Sequence, residues 1–199
     1  NDGLYNSLAG RVDELYLIGD SAQPRNIEME KPPQLGSVIR AEQAWNKGDW
    51  KNAIKEALLA HPTLAKRSRS YKSTDDAEMI RAAWIVASSI TRANGDYTLD
   101  KNVRLEPDVD KKRLRVDWAV ETLTWMLEKN EGDPLFTMLL AESLARTTEG
   151  EEKSLAMLEG LAKEDLMPDG YGWATLAALH TRAKKSEAAA TAAKRCNTV

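Results

Sequence analysis

This chain has one cysteine, one phenylalanine and two histidines in 199 residues. A lone Cys196 excludes an internal disulfide and leaves both reducing and oxidising compartments open. His61 and His180 stand far apart, and neither sits in a metal-ligand spacing such as His-Glu-x-x-His. Also lacking are a Gly-rich phosphate loop, a nucleophile elbow and any apolar run near the roughly 20 residues needed to cross a bilayer. A net charge of -3 gives no whole-molecule attraction to nucleic acid or anionic lipid. The sequence therefore points to no catalytic residues, no metal, no cofactor, no nucleic-acid partner and no transmembrane segment.

What is present is ordinary for a folded soluble protein: 42% hydrophobic and 30% charged residues. Alternating Val/Ile/Thr stretches are nearly absent, while apolar residues recur every three to four positions, so the expected class is all-α. Leu4, Leu8, Val12 and Leu15 form the stripe of a first helix, about 3 to 18, with Asp2 as its cap. Pro24, Pro32, Pro33 and Gly36 then mark an extended linker, which makes 1 to 36 one segment and 37 to 199 the helical domain.

From Ser37 onward helices are expected in pairs. Ser37 caps a helix to Lys47, and Asp49 caps the next to about Ala60. A second pair begins near Asp75 or Asp76, with Met79, Ala83, Trp84, Ala87 and Ile90 on its stripe. Its partner, about 110 to 130, follows a polar insertion at about 98 to 109. A third pair spans about 134 to 147 and 150 to 164, opening on Pro134. The fourth runs from about Gly170 to Ala183 and from Ser186 onward.

The pairs share a register. Gly48-Asp49-Trp50 recurs as Gly95-Asp96-Tyr97, and Ala41, Ala87, Ala141 and Ala177 fall in the middle of the four first helices, where a small residue lets two helices cross closely. Ala41 and Ala53 are 12 residues apart, as are Ala177 and Ala189; Ala141 and Ser154 are 13 apart. Together with Trp173-x-x-Leu176-Ala177-x-x-His180, these positions resemble a degenerate tetratricopeptide repeat over about residues 35 to 199. The resemblance implies an α-solenoid of about four helical hairpins plus an N-terminal helix, whose first helices line a concave groove for a protein or peptide. Alanine replaces the usual glycine and His180 the usual tyrosine. Asn46 and Glu42 occupy groove positions of the first pair, so the family's lysine-and-asparagine clamp for C-terminal carboxylates is not reproduced.

In that register Arg92, Arg146 and Arg182 each follow their alanine by five residues and form a ladder along one groove edge, suited to carboxylates through forked hydrogen bonds. Cations in a last helical turn are also favoured by the helix dipole alone. Trp84, three residues before Ala87, is expected to face the groove while the other repeat tryptophans pack in the core. Glu142, next to Ala141, completes the partner-binding set of Trp84, Arg92, Glu142, Arg146 and Arg182.

Two further segments carry charge. The run from Lys66 to Lys72, with Tyr71 available to stack on a base, reads first as a solvated loop between repeats. In the insertion, Asp96, Asp100, Asn102, Glu106, Asp108 and Asp110 are oxygen-rich, but Arg104 occupies a ligand place and no central glycine follows, so an EF-hand is not formed.

The expected function is a noncatalytic scaffold or adaptor that captures a protein partner. A small-ligand carrier with a pocket between helices, lined by Trp84 or Trp125, is the alternative. The chain begins at Asn1 rather than methionine, which leads us to expect a processed or trimmed product. A periplasmic or lipid-anchored place in the bacterial cell envelope fits that start, with the cytoplasm as the alternative.

Overall fold

The computed structural model describes residues 33–67, 69–93 and 109–197; the expected helix at 3 to 18, the Gly95-Asp96-Tyr97 signal and all but the last residue of the 98-to-109 insertion lie outside the described residues. Among the described residues there are eight α-helices and no strand, as an all-α class requires. They are α1 (Pro33–Asn46), α2 (Trp50–Ala60), α3 (Ala77–Arg92), α4 (Val109–Lys129), α5 (Pro134–Leu144), α6 (Glu151–Lys163), α7 (Gly170–Arg182) and α8 (Ser186–Cys196). None is long and apolar enough to cross a membrane.

Local chemistry sets most of these boundaries. Asp49, Asp76, Asp133 and Asp169 each accept bonds from the first free amides of α2, α3, α5 and α7, replacing water at donors that have no partner inside the helix. Pro134 sits in the first turn of α5, where a missing N–H costs nothing. The same preference corrects one boundary: α1 starts at Pro33, not after a Ser37 cap, and Ser37 Oγ instead accepts from Arg40 Nη2 at 2.8 Å inside the helix. Between α1 and α2 the chain reverses at Gly48, whose φ of +73° lies in the left-handed region that glycine enters without steric cost.

Each helix packs on the next along the chain, and the first helices also pack on one another, α1 on α3, α3 on α5 and α5 on α7. The alanine column lies at these contacts: Ala41, Ala87 and Ala141 are fully buried, and Ala177 is half-buried. In the third pair the crossing is fixed by a hydrogen bond, since Ser154 Oγ donates to the Ala141 carbonyl at 2.6 Å within the core. Larger side chains fill the space between layers, with Ile54, Ile85, Ile90, Leu123, Met126, Met138, Leu139 and Leu158 all fully buried.

The basic run after α2 is structured. It contains two 3-10 turns, Pro62–Lys66 and Ser70–Ser73, the second of which packs against the middle of α4. Tyr71, fully buried, exchanges a hydrogen bond with Thr122 Oγ1 at 2.9 Å and meets Trp118 and Trp125 edge-on at 6.1 and 5.4 Å, so it is a core residue with no face left for a base. Arg69 grips Glu121 through two bonds of 2.6 and 2.7 Å, and Lys72 adds a third at 2.7 Å.

Those bonds, Arg69 first and Lys72 second, hold the Glu121 carboxyl at about 2 against an ordinary 4.5. A carboxylate whose folded value is depressed contributes stability that is complete above its unfolded value and is lost as pH falls through the folded one. Because Arg69 is 65% exposed, solvent screening reduces the contribution to about 0.5–1 kcal/mol. Glu121→Gln is therefore expected to flatten the stability profile between about pH 4.5 and 2, measured by urea unfolding; an unchanged acid limb would assign the loss to other carboxylates.

Candidate functional site

The four helix pairs meet at the guanidinium of Arg92. Arg92 closes α3, and its Nε and Nη2 donate to the two carboxylate oxygens of Glu142 on α5, both at 2.9 Å. Nη2 also donates to Asp169 Oδ2 at 2.8 Å. The other oxygen of Asp169 caps α7 through the amides of Tyr171 and Gly172. One carboxylate thus fixes both the start of α7 and its distance from Arg92.

Around the charged trio stand three rings. The Arg92 carbon lies 4.9 Å from the centroid of Trp45, 5.3 Å from Trp50 and 4.3 Å from Tyr171. Trp45 ends α1 and Trp50 begins α2, so the first pair supplies two walls of the cage and the fourth supplies the third. Trp50 and Tyr171 touch edge-on at 5.4 Å, and the Trp45 indole is pinned by donation to Ser88 Oγ on α3 at 2.8 Å. Arg92 and Glu142 side chains are 3% and 4% exposed, whereas Asp169 keeps 31%. Burial opposes the Arg92 charge, but the bonds and charge of Glu142, and then of Asp169, outweigh it and hold the group above its ordinary value. At Glu142 burial pushes the carboxyl up, while the forked donation from Arg92 pulls against it.

The sequence-predicted residues divide here. Arg92 and Glu142 come together, but as a closed ion pair and not as an open rung for a partner. The physical reason is that Arg92 meets Glu142, Asp169 and three rings, which leave it almost no contact with water. Trp84 is half-buried and packs edge-on between Trp45, at 5.3 Å, and Phe136, at 6.2 Å, bridging the first helices α1, α3 and α5. Arg146 and Arg182 are exposed, and Arg182 pairs with Glu151 at the start of α6. All three arginines nevertheless line one small cleft of about 200 Å³ with Glu142 and Tyr171. On the other side of Tyr171 a wider cleft, about 580 Å³, is lined by Trp45, Trp50, Asp169 and Cys196.

Asp169, Tyr171, Trp45 and Trp50 are the partners that sequence spacing does not assign to Arg92. Arg92 and Asp169 are 77 positions apart, and no local period links them. The only advance signal is Trp50 in the Gly48-Asp49-Trp50 turn. Chemically the trio is a positioning device: both carboxylates are engaged by the same cation. Among the described residues no group of three His, Cys, Asp or Glu side chains is placed to hold a metal ion. No family model, curated protein or solved structure matches the chain.

Proposed function

We propose that the chain is a noncatalytic scaffold, built as an array resembling tetratricopeptide repeats, that binds a protein partner along the face made by its first helices. The observation that carries this reading is the convergence of Arg146 and Arg182, from the ends of two successive first helices, on one cleft beside Tyr171. Tyr171 is 47% exposed, although its ring also covers Arg92. A rigidly held, half-exposed tyrosine flanked by cations is the type of anchor that dominates protein interfaces. The stacking of α1, α3, α5 and α7, with small residues at three crossings, supports the repeat reading.

In this scheme Arg92 organises the face and does not touch the partner. Arg146 and Arg182 meet the partner's carboxylates, which at Arg182 take the place of Glu151. Replacing Arg146 and Arg182 together by glutamate is expected to reduce partner capture from an extract of the source organism by about tenfold or more, since each lost charge contact at an interface is worth on the order of 1–2 kcal/mol. Helical content and melting temperature should hold, because both side chains are exposed. Capture measured by quantitative mass spectrometry and found equal to wild type would exclude this face as the binding site.

A further inference from the structure

The helix α7 presents two faces to two different clefts. Tyr171, Ala178 and Arg182 line the one beside Arg92, whereas Trp173, Leu176 and His180 form the floor of a groove of about 950 Å³ between α6 and α8. The spacing of the second set, three and then four residues, keeps it on one side of the helix. Ala162 of α6 and Ala188 and Ala192 of α8 make the walls apolar. On the rim Glu159 and Glu187 stand against Lys163, Lys185 and Arg195, of which Arg195 is engaged by Asp165. The rim is thus balanced in charge and gives no advantage to a strongly charged ligand.

The floor carries a buried polar side chain that lacks a hydrogen bond. The His180 side chain is 8% exposed, and among the described residues neither ring nitrogen has a hydrogen-bond partner: Nδ1 has none, and Nε2 lies 3.8 Å from Glu159 Oε1 on the groove wall, beyond bonding reach. Buried polar atoms left unbonded are costly, and most in folded proteins are paired. A hydroxyl set against Nε2 would pair it in either tautomer, because it both donates and accepts. A carboxylate at the same point would be repelled by Glu159.

The fold holds the same arrangement already filled. α2 and α4 flank α3 as α6 and α8 flank α7. Residues 62–73 run from the end of α2 to the middle of α4, where the Tyr71 ring meets Trp118 and Trp125 and its hydroxyl bonds Thr122. Between α6 and α8 no described segment makes that crossing, since the connection from α6 to α7 covers only residues 164–169. Trp173 and His180 stand ready for the two parts of a tyrosine side chain, as Trp118 and Thr122 do for Tyr71.

We infer that the groove between α6 and α8 binds a tyrosine of a partner protein, with its ring against Trp173 and Leu176 and its hydroxyl on His180 Nε2. The volume suits a ring with a few residues of flanking peptide. This site lies on another face of α7 from Tyr171 and does not depend on the roles given to Arg146 and Arg182.

The experiment is a titration of the isotope-labelled full chain with N-acetyltyrosinamide, followed by amide and imidazole NMR shifts. Saturable shifts are expected at His180, Trp173 and the facing turns of α6 and α8, with half-saturation on the order of 1 mM for a ligand of this size. N-acetylphenylalaninamide, which lacks only the hydroxyl, should bind about fivefold more weakly. His180→Phe keeps a ring in the floor and removes its nitrogens, so the two ligands should bind it equally. Circular dichroism and melting establish that the variant is folded; if it is not, the shift map and the preference of the wild type decide alone. Absence of saturable shifts at α6 to α8, shifts confined to the cleft beside Tyr171, equal binding of the two ligands by wild type, or an undiminished preference in folded His180→Phe would each overturn the inference.

Discussion

Replacing Arg92 by methionine is expected to lower the free energy of unfolding by about 3–5 kcal/mol, which for a domain of this size corresponds to a fall in melting temperature of about 6–20 °C. Methionine retains much of the volume inside the ring cage but leaves the Glu142 carboxylate, 4% exposed, without its two donors. An unpaired buried charge is costly because water cannot reach it. Asp169 suffers less, since it is 31% exposed and keeps the α7 amides on its other oxygen. Adding Glu142→Leu to Arg92→Met should therefore recover most of the loss. Urea unfolding of the two single variants and the double one gives the coupling directly, and at least about 2 kcal/mol is expected. A single-variant loss below about 1 kcal/mol would show that the four helix pairs do not depend on Arg92.

The second large effect concerns Tyr71. Tyr71→Ala is expected to cost about 3–5 kcal/mol, because it removes a fully buried ring packed on Trp118 and Trp125 and leaves a cavity that rigid helices close only in part. Tyr71→Phe keeps the ring and loses only the bond to Thr122, at about 1 kcal/mol. Thr122 Oγ1 then remains bonded to the Trp118 carbonyl at 2.8 Å and is not orphaned. Thermal melts of the two variants separate ring packing from the hydroxyl. Similar small losses in both would mean that the segment after α2 is peripheral to the core.

The contrast between these residues shows what was legible in the sequence. Helix periodicity and aspartate caps are local, so the ends of α2, α3, α5 and α7 follow from a few neighbouring residues. Close packing at Ala41, Ala87 and Ala141 was legible for the same reason: small residues at a repeating register can be seen without coordinates. Tyr71 was not. It lies in a run of cations that reads as solvated, and its burial depends on Thr122, Trp118 and Trp125, which reach it only once α4 has packed. Arg92 combines both situations. Its place at the end of a first helix was readable, but the dipole of that helix and an open groove favour a cation equally. Glu142 and Asp169, brought in by α5 and the cap of α7, decide between an open rung and a closed pair. Glu142 was selected as a residue of this face, and its role as the counter-ion of Arg92 emerged only from the packing.

The proposed function separates two roles on one face: Arg92 holds the helix pairs together, and Arg146 and Arg182 are assigned to the partner. The direct measurement is partner capture by wild type, Arg92→Met/Glu142→Leu and Arg146→Glu/Arg182→Glu, side by side at a temperature where all three are folded by circular dichroism. The expected result is capture within about twofold of wild type for the apolar pair and a loss of about tenfold or more for the charge-reversed pair. The opposite pattern, capture lost with Arg92 and Glu142 but kept without the charges of Arg146 and Arg182, would contradict the assignment.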